Sequence, residues 1–384
     1  MKREIYMDHA ATSFPKAPGV SDAMKRYLDE IGCNIGRGSY EKSTEAGLAV
    51  FEVRETIAKA FGCSDPKRVV FTPGATAALN MAIGGYPETE GIVLISSLEH
   101  NAVMRPLAGL GRKTIRIPSD PDGSMRLDTL EVRWEDISMC VVTHASNVCG
   151  TIQPAEELAG VCAEHNVPVI LDAAQTAGIL PIDLERSRFS AVCVPAHKGL
   201  KGPQGLGVLI LSEAFAHTLR PVLFGGTGSV SYCERMPEFL PDRFESGTLN
   251  LPGIFGLGAA MESFDPVKER EQEKKLTARF LDNLKGIEGI RVPGPGDAEK
   301  RLAVVSVDFM NMDNSVAADK LEQEYGIMTR CGLHCAPEAH KTIGTFPQGT
   351  VRFSFSSETT PEEIDYCSDA VQSIAKENTA GRLS

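Results

Sequence analysis

The chain contains 384 residues, of which 42% are hydrophobic and 23% are charged, and its formal net charge is -12. The length favours two globular domains, and the acidic balance argues against nucleic acid or an anionic membrane surface as the main partner. Ten irregularly spaced cysteines without a CxxC pair, and an N-terminus without a signal-peptide pattern, predict free thiols in the cytoplasm and no membrane span.

Short apolar segments alternate with helical patterns over the first two thirds of the chain. In chain order, strands are predicted at 68–72, 91–96, 138–146, 167–175, 189–198 and 206–211, and helices begin at Gly74 and Pro154. Such alternation is typical of a mostly parallel sheet with helices on both faces. This part of the chain is therefore predicted to form an α/β domain.

The last third of the chain has a different pattern. A charge-rich segment at 265–286 predicts a long surface helix near a domain boundary. It is followed by predicted strands at 301–309 and 349–356 and by predicted helices at 315–326 and 360–377. These elements indicate a smaller α+β unit.

Polar side chains follow three of the predicted strands directly. The segments "THASN", "LDAAQ" and "PAHK" each place them just after an apolar run. Ligands of open α/β sheets bind at the carboxyl ends of the strands. Three such segments in one sheet predict a shared binding crevice.

Asp172 and Lys198 are the strongest candidates for chemistry in this crevice. Asp172 can cap the next helix, or it can pair with a buried cation such as the pyridinium nitrogen of pyridoxal phosphate. Lys198 can extend its amine to solvent, or it can be a desolvated lysine that forms a Schiff base. The residues alone leave these alternatives open.

Several further residues can bind parts of such a cofactor. Gly74, Ala75 and Thr76 open a helix after a strand, where free N–H groups and the helix dipole favour a phosphate. His100 follows another strand and can stack on a planar ring, although an isolated histidine is more often a packing residue. Asn147 and Gln175 are candidate hydrogen-bond partners for a cofactor or substrate oxygen.

The segment "RCGLHCAPEAH" places two cysteines and two histidines within eleven residues. Cys331, His334, Cys335 and His340 together supply four ligands of the kind that zinc prefers. However, the cysteine and histidine spacings are interleaved, and no second ligand pair is visible in the sequence. We therefore predict no metal site, which leaves a nucleophilic or redox role or a core position for Cys335.

Taken together and in order, these residues resemble the class V, fold-type I pyridoxal phosphate enzymes, and more narrowly the cysteine desulfurase and selenocysteine lyase family. The motifs that carry the resemblance run nearly from end to end: "YMDHAATSFPKAP", "GATAALN", "EHNA", "SNVCGTIQP", "LDAAQTAG", "AHKGLKGPQGLG", "FESGTLN", "RCGLHCAP" and "GTVRFSFS". The resemblance implies a mostly parallel seven-stranded sheet in a large cofactor-binding domain at 17–260. It also implies a small α+β domain, formed by 1–16 and 261–384, that carries Cys335 and Arg352.

The resemblance assigns a role to each candidate residue. Lys198 binds pyridoxal 5'-phosphate covalently and moves the substrate Cα proton, Asp172 pairs with the pyridine nitrogen, and His100 stacks on the ring. The resemblance also places Gln175 and Asn147 near the phenolic oxygen of the cofactor, and Asn147 and Arg352 at the substrate carboxylate. The cofactor phosphate is implied to contact Ala75, Thr76 and His197. Thr248 is implied to contact the phosphate of a partner subunit. At position 195 the family usually has serine or threonine, whereas this chain has Pro195, which predicts a local difference in phosphate binding.

The implied activity is the conversion of L-cysteine to L-alanine, with the sulfur transferred to Cys335 as a persulfide and His334 nearby to tune the thiol. Selenocysteine lyase is the closest alternative, and a class V aminotransferase without sulfur chemistry is another. The implied partners are a second copy of the chain, in a homodimer with shared sites, and an unidentified sulfur-acceptor protein. Iron–sulfur cluster assembly is one destination for such sulfur.

Overall fold

The fold is described from a computed structural model that covers residues 4–36, 38–87 and 90–380, without the side chains of 378–380. Residues 1–3 and 381–384, which belong to the predicted small domain, lie outside the described part. The strands are β1 Ile5–Tyr6, β2 Val69–Thr72, β3 Ile92–Ile95, β4 Lys113–Arg116, β5 Ile137–Thr143, β6 Val169–Asp172, β7 Ala191–Pro195, β8 Gly207–Leu211, β9 Ile290–Arg291, β10 Val304–Phe309, β11 Ile327–Met328, β12 Arg330–Gly332 and β13 Thr350–Ser354.

The α-helices alternate with these strands in the first part of the chain and cluster in the last part. They are α1 Val20–Arg26, α2 Glu41–Ala60, α3 Ala75–Gly85, α4 Asn101–Gly109, α5 Ala155–Glu164, α6 Glu213–Thr218, α7 Leu251–Met261, α8 Pro266–Leu284, α9 Asn314–Tyr325, α10 Pro337–Thr342 and α11 Pro361–Ala380. Among the described residues, no helix is both long and apolar enough to cross a membrane.

The largest sheet has seven strands in the order β2-β8-β7-β6-β5-β3-β4. Strands β4, β3, β5, β6 and β7 run parallel, and β8 pairs antiparallel with both β7 and β2. This is the mostly parallel seven-stranded sheet that the family resemblance implies. Its parallel strands end at one edge, which brings the segments after β5, β6 and β7 together.

Both faces of this sheet are buried, because successive side chains of a strand point to opposite faces. In β5, Cys140 and Val142 pack into one hydrophobic cluster, while Met139 and Val141 pack into a second cluster on the other face. Helices α2, α5 and α7 contribute to the first cluster, and α3, α4 and α6 contribute to the second. These two layers of helices hold the sheet in place, and with it the edge at which the site lies.

A second hydrophobic core lies in the last part of the chain. Strands β12, β13, β10 and β9 form a four-stranded antiparallel sheet, against which residues of α8, α9 and α11 pack. Ile5 and Met7 are buried in this same core, and β1 pairs with β11. The N-terminal segment is thereby packed with the C-terminal elements, although the domain boundaries themselves stay a prediction.

Several elements of the fold were missing from the sequence-based assignment, among them the long helix α2, helix α7 and the strands β1, β4, β9, β11 and β12. Strand β4, with the sequence "KTIR", is a short edge strand whose side chains are half-buried or exposed, so it lacks a continuous apolar run. The segment 330–342 consists of strand β12, a tight turn and helix α10. Among the strands, the sequence therefore predicts the buried ones and misses those that are very short or partly exposed.

Candidate active site

A cavity of about 480 Å³ opens at the carboxyl ends of β5, β6 and β7. Eight of the predicted cofactor-binding residues line it: Ala75, Thr76, His100, Asn147, Asp172, Gln175, His197 and Lys198. Thr248 lies outside this cavity, on an exposed segment before α7. The predicted crevice is therefore a real cavity that collects residues from several separate segments of the chain.

The half-buried Lys198 and the buried Asp172 are the ionisable pair of the cavity. Burial, with the nearby positive charges of Arg352 and Arg330, lowers the pKa of Lys198 to about 8, although Asp172 opposes this shift. Burial raises the pKa of Asp172, opposed by a hydrogen bond from Ala174 N at 2.9 Å and by the charge of Lys198. A lysine amine that is partly neutral near pH 7 is suited to nucleophilic and proton-transfer chemistry.

Close backbone contacts hold the turn after Lys198. A Cβ atom on Gly199 would lie 2.3 Å from the carbonyl oxygen of Ala177, which is closer than real Cβ contacts permit. The turn that carries Lys198 therefore packs directly on the segment that follows Asp172. This contact fixes the two ionisable groups relative to one another.

The N-terminus of α3 forms one end of the cavity. Ala75 and Thr76 are its first helical residues, and their position leaves backbone N–H groups free for an anion. His197 Nδ1 lies 3.0 Å from Thr12 Oγ1, and burial lowers the pKa of His197 to about 4. Pro195 also lines the cavity but has no donor, so anion binding here depends on α3.

His100 caps α4 and faces the cavity. Its Nδ1 accepts a hydrogen bond from Ala102 N at 3.0 Å, which places the proton of the neutral ring on Nε2. Burial, followed by the positive charge of Lys198, lowers the pKa of His100 to about 4. The ring is therefore neutral at pH 7, which suits stacking on a planar cofactor better than it suits a charged role.

The segment that presents Cys335 has an unusual backbone conformation. His334 and Cys335 have φ values of 49° and 59°, in the left-handed region that non-glycine residues seldom adopt. Two hydrogen bonds hold this turn: Asn147 Nδ2 donates to His334 O at 2.7 Å, and Asn101 N donates to Cys335 O at 2.8 Å. The turn is thus held by residues from the cavity wall.

The thiol of Cys335 is exposed and lies beside the cavity. Cys335 lines a groove of about 760 Å³ that shares Thr76, His100 and Ala102 with the cavity of Lys198. Arg330 Nη2 lies 3.8 Å from the sulfur atom, a contact that the sequence did not single out. The groove that Cys335 lines therefore lies next to the cavity of Lys198, and Cys335 itself is exposed to solvent.

The other residues of "RCGLHCAPEAH" have separate positions. His334 is buried, its Nε2 lies 3.2 Å from Thr350 Oγ1, and burial lowers its pKa to about 2. The ring of His334 is therefore neutral at pH 7, and its implied influence on the Cys335 thiol stays a prediction. His340 is buried against Thr345 Oγ1 at 2.7 Å, and Cys331 packs on the second core. In the described part of the chain, no group of three or more potential ligands could hold a metal ion.

Arg352 lies on β13 and is almost fully buried. Its Nη2 donates to Asp8 Oδ1 at 2.6 Å, and its Nη1 donates to Asn147 O at 3.1 Å. Asn147 therefore contacts both Arg352 and the Cys335 turn, a linking position that the sequence did not indicate. The amide of Gln175, predicted to bind a cofactor oxygen, donates instead to Ala10 O at 3.2 Å, although Gln175 also lines the cavity.

Glu99 is a buried carboxyl group that sequence reasoning missed. It accepts hydrogen bonds from Ser96 Oγ at 2.5 Å and Thr143 N at 2.8 Å, and its Oε2 has no partner among the described residues. Burial and the neighbouring Asp172 raise the pKa of Glu99 to about 8, against the effect of these hydrogen bonds. Its position next to His100 in the segment "SSLEHN" was the sequence feature that could have identified Glu99 as a candidate site residue.

The aminotransferase class-V family model matches residues 5–367 of the chain. A probable cysteine desulfurase of Methanothermobacter thermautotrophicus is 30% identical, over 98% of this chain and 96% of that protein. The chain belongs to the class-V aminotransferase family. Its similarity to cysteine desulfurases extends to IscS of Dictyoglomus turgidum, which is 30% identical over 97% of this chain and 95% of that protein.

Solved structures of the class-V family show the same fold. The apo structure of a cysteine desulfurase from Thermococcus onnurineus superimposes with a TM-score of 0.91 at 29% identity, and the match covers 97% of this chain and 95% of that one. The cysteine desulfurase CsdA from Escherichia coli superimposes with a TM-score of 0.85 at 25% identity, and covers 97% and 95%. These matches confirm the predicted fold and the membership of the cysteine desulfurase group within class V.

Proposed function

We propose that this class-V protein converts L-cysteine to L-alanine and transfers the sulfur to Cys335 as a persulfide. The observation that carries the proposal is the junction between the Lys198 cavity and the Cys335 groove, which share Thr76, His100 and Ala102. A sulfur acceptor must reach the substrate sulfur and then become accessible to a second protein. The groove gives Cys335 access to both the cavity and solvent.

The residues of the cavity fit pyridoxal phosphate. Its phosphate requires an anion site, which the N-terminus of α3 provides, and its pyridinium nitrogen requires a buried carboxylate, which Asp172 provides. Lys198 supplies a buried amine for the aldehyde, and the neutral ring of His100 supplies a stacking face. When bound, the cofactor withdraws electrons from the substrate Cα.

Each proposed step then uses a residue of this chain. Arg352 binds the substrate carboxylate, and Lys198 removes the Cα proton and later returns a proton to the product. Cys335 gives up its proton and attacks the substrate sulfur, so that an S–S bond forms while the Cβ–S bond breaks. The electron pair of the broken bond stays with the alanine skeleton, which accepts a proton at Cβ. One cysteine and one thiol thus yield one alanine and one persulfide.

The test is to incubate the holoenzyme with L-cysteine, measure alanine, and determine the intact protein mass. We expect alanine together with a mass increase of one sulfur atom, lost on reduction. Cys335→Ser should abolish the increase, whereas Cys233→Ser is the matched control because Cys233 is also exposed. Full cysteine activity in Cys335→Ser would refute the proposed role of the thiol.

A second substitution of Cys335, by alanine, separates cysteine from selenocysteine chemistry. Selenium leaves more easily than sulfur without help from a thiol, so Cys335→Ala should impair turnover of L-cysteine more than that of L-selenocysteine. A wild-type enzyme that releases selenide but forms no alanine from L-cysteine would favour the lyase.

We further propose a homodimer in which the exposed Thr248 contacts the phosphate of the other subunit, and a separate protein that accepts sulfur from Cys335. The exposure of both residues in the single chain supports this proposal. We place the reaction in the cytoplasm, because a persulfide cycle needs a reduced Cys335 and all ten cysteines of the chain are free thiols. Analytical ultracentrifugation of the holoenzyme tests the dimer.

A further inference from the structure

The substrate-carboxylate ligand Arg352 already has a carboxylate partner within its own chain. Its ion pair with Asp8 has a length of 2.6 Å, and the side chain of Arg352 is 1% exposed while that of Asp8 is 23% exposed. The Nε atom of Arg352 has no hydrogen-bond partner among the described residues. The guanidinium therefore keeps one unused, buried donor while Asp8 remains in place.

Backbone hydrogen bonds fix Asp8 next to this arginine. Ser354 N donates to Met7 O at 2.8 Å, and Ala10 N donates to Ser354 Oγ at 2.9 Å. Both bonds attach the N-terminal segment to β13, two residues from Arg352. The backbone of the fold therefore holds Asp8 beside Arg352, although the two residues are 344 positions apart in sequence.

Asp8 also changes the charge that a ligand meets at Arg352. Lys198, Arg330 and Arg352 are close enough to influence one another electrostatically, and Asp8 acts on Lys198 with the opposite sign. A ligand carboxylate that reaches Arg352 therefore approaches an ion pair and not an isolated cation. Asp8 repels that carboxylate, but it attracts a neighbouring ammonium group.

We propose that Asp8 is a specificity-determining residue, which makes Arg352 select zwitterionic α-amino acids over simple carboxylates. The inference rests on the proposed function of Arg352 as the ligand of the substrate carboxylate. A simple carboxylate loses attraction because Asp8 neutralises Arg352, whereas an amino acid recovers it through its ammonium group. Asp8 thus weakens the binding of simple carboxylates and also strengthens the binding of α-amino acids.

The test compares L-alanine and propionate, which differ by the amino group, as ligands of the holoenzyme in calorimetric titrations. Asp8→Asn keeps an oxygen that can accept from Arg352 but removes the charge. We expect the preference for L-alanine over propionate to fall by about tenfold or more, with tighter propionate binding. Propionate has no amine to react with the cofactor, so its tighter binding in Asp8→Asn reports on the carboxylate site alone.

Two further variants make the result specific. Asp8→Glu should recover most of the preference, and the exposed Asp128→Asn should leave it unchanged. An unaltered ratio in Asp8→Asn would overturn the inference, and so would an equal loss of both affinities, which would indicate a purely structural role. Alanine formation from L-cysteine by the same wild-type preparation is measured in parallel, so that failure of the proposed function is recognised separately.

Discussion

Replacement of Glu99 by glutamine should change how the stability of the protein depends on pH. Glu99 is fully buried between Ser96 and Thr143, and its pKa is raised from 4.5 to about 8, chiefly by burial. Between these two values the folded protein keeps the carboxyl proton, while the unfolded chain releases it. Unfolding then releases a proton, so this carboxyl group makes the folded state less stable as the pH rises.

The size of the effect follows from the two pKa values. Each pH unit within the window costs up to about 1.4 kcal/mol, and the loss between pH 5 and pH 8 is about 3 kcal/mol, because ionisation is partial at both ends. The side chain of glutamine has a similar shape and stays neutral at every pH. Glu99→Gln should therefore match the wild type near pH 5 and be more stable by about 3 kcal/mol near pH 8.

The assay is urea denaturation of the cofactor-free protein at several pH values between 5 and 8. The quantity of interest is the difference in unfolding free energy between Glu99→Gln and wild type, since contributions of all other groups cancel. Glu131→Gln, at an exposed position, is the control and should show a constant difference. A difference that stays constant with pH for Glu99→Gln as well would refute the reasoning.

Three other perturbations test the electrostatics of the fold and the site. Glu245→Ala should lower the unfolding free energy by about 3–5 kcal/mol, because it leaves Arg54 buried without its carboxylate partner. A loss below about 1 kcal/mol, measured by denaturation, would contradict this expectation. Recombination of the cofactor-free protein with pyridoxal phosphate, followed by absorbance, should accelerate about tenfold per pH unit and level off above pH 8. The reason is that the neutral form of Lys198 reacts with the aldehyde, so a rate that keeps rising well above pH 8 would argue against its lowered pKa. Arg352→Lys should raise KM for L-cysteine about tenfold or more with a smaller effect on kcat, since an ammonium group cannot bind a carboxylate bidentately. An unchanged KM in steady-state assays would show that Arg352 does not bind the substrate.

The main elements of the fold could be predicted because they are buried. Strands β5 and β7 lie in the middle of a sheet covered on both faces, so each is buried at every position and mostly apolar. Strand β4 lies at the sheet edge with partly exposed side chains, and its sequence carries no comparable signal. Burial on both faces is therefore what makes a strand recognisable in this chain.

The cofactor residues were predictable for a related reason. Asp172 and Lys198 follow buried strands, and parallel strands bring their carboxyl ends to one edge. Local pattern therefore identifies the residues that line the cavity. Their protonation could not be predicted in the same way, since it depends on which charges the fold brings close to each group.

The sequence by itself determined the α/β architecture, the residues at the strand ends and, through its motifs, the likeness to cysteine desulfurases. The tertiary structure alone decided that Asp8 pairs with Arg352, that His334 is neutral, and that Cys335 lies on a left-handed turn between the cavity and solvent. The physical reason is that charge pairing and desolvation depend on distance in space. Segments far apart in sequence become neighbours only when the chain folds.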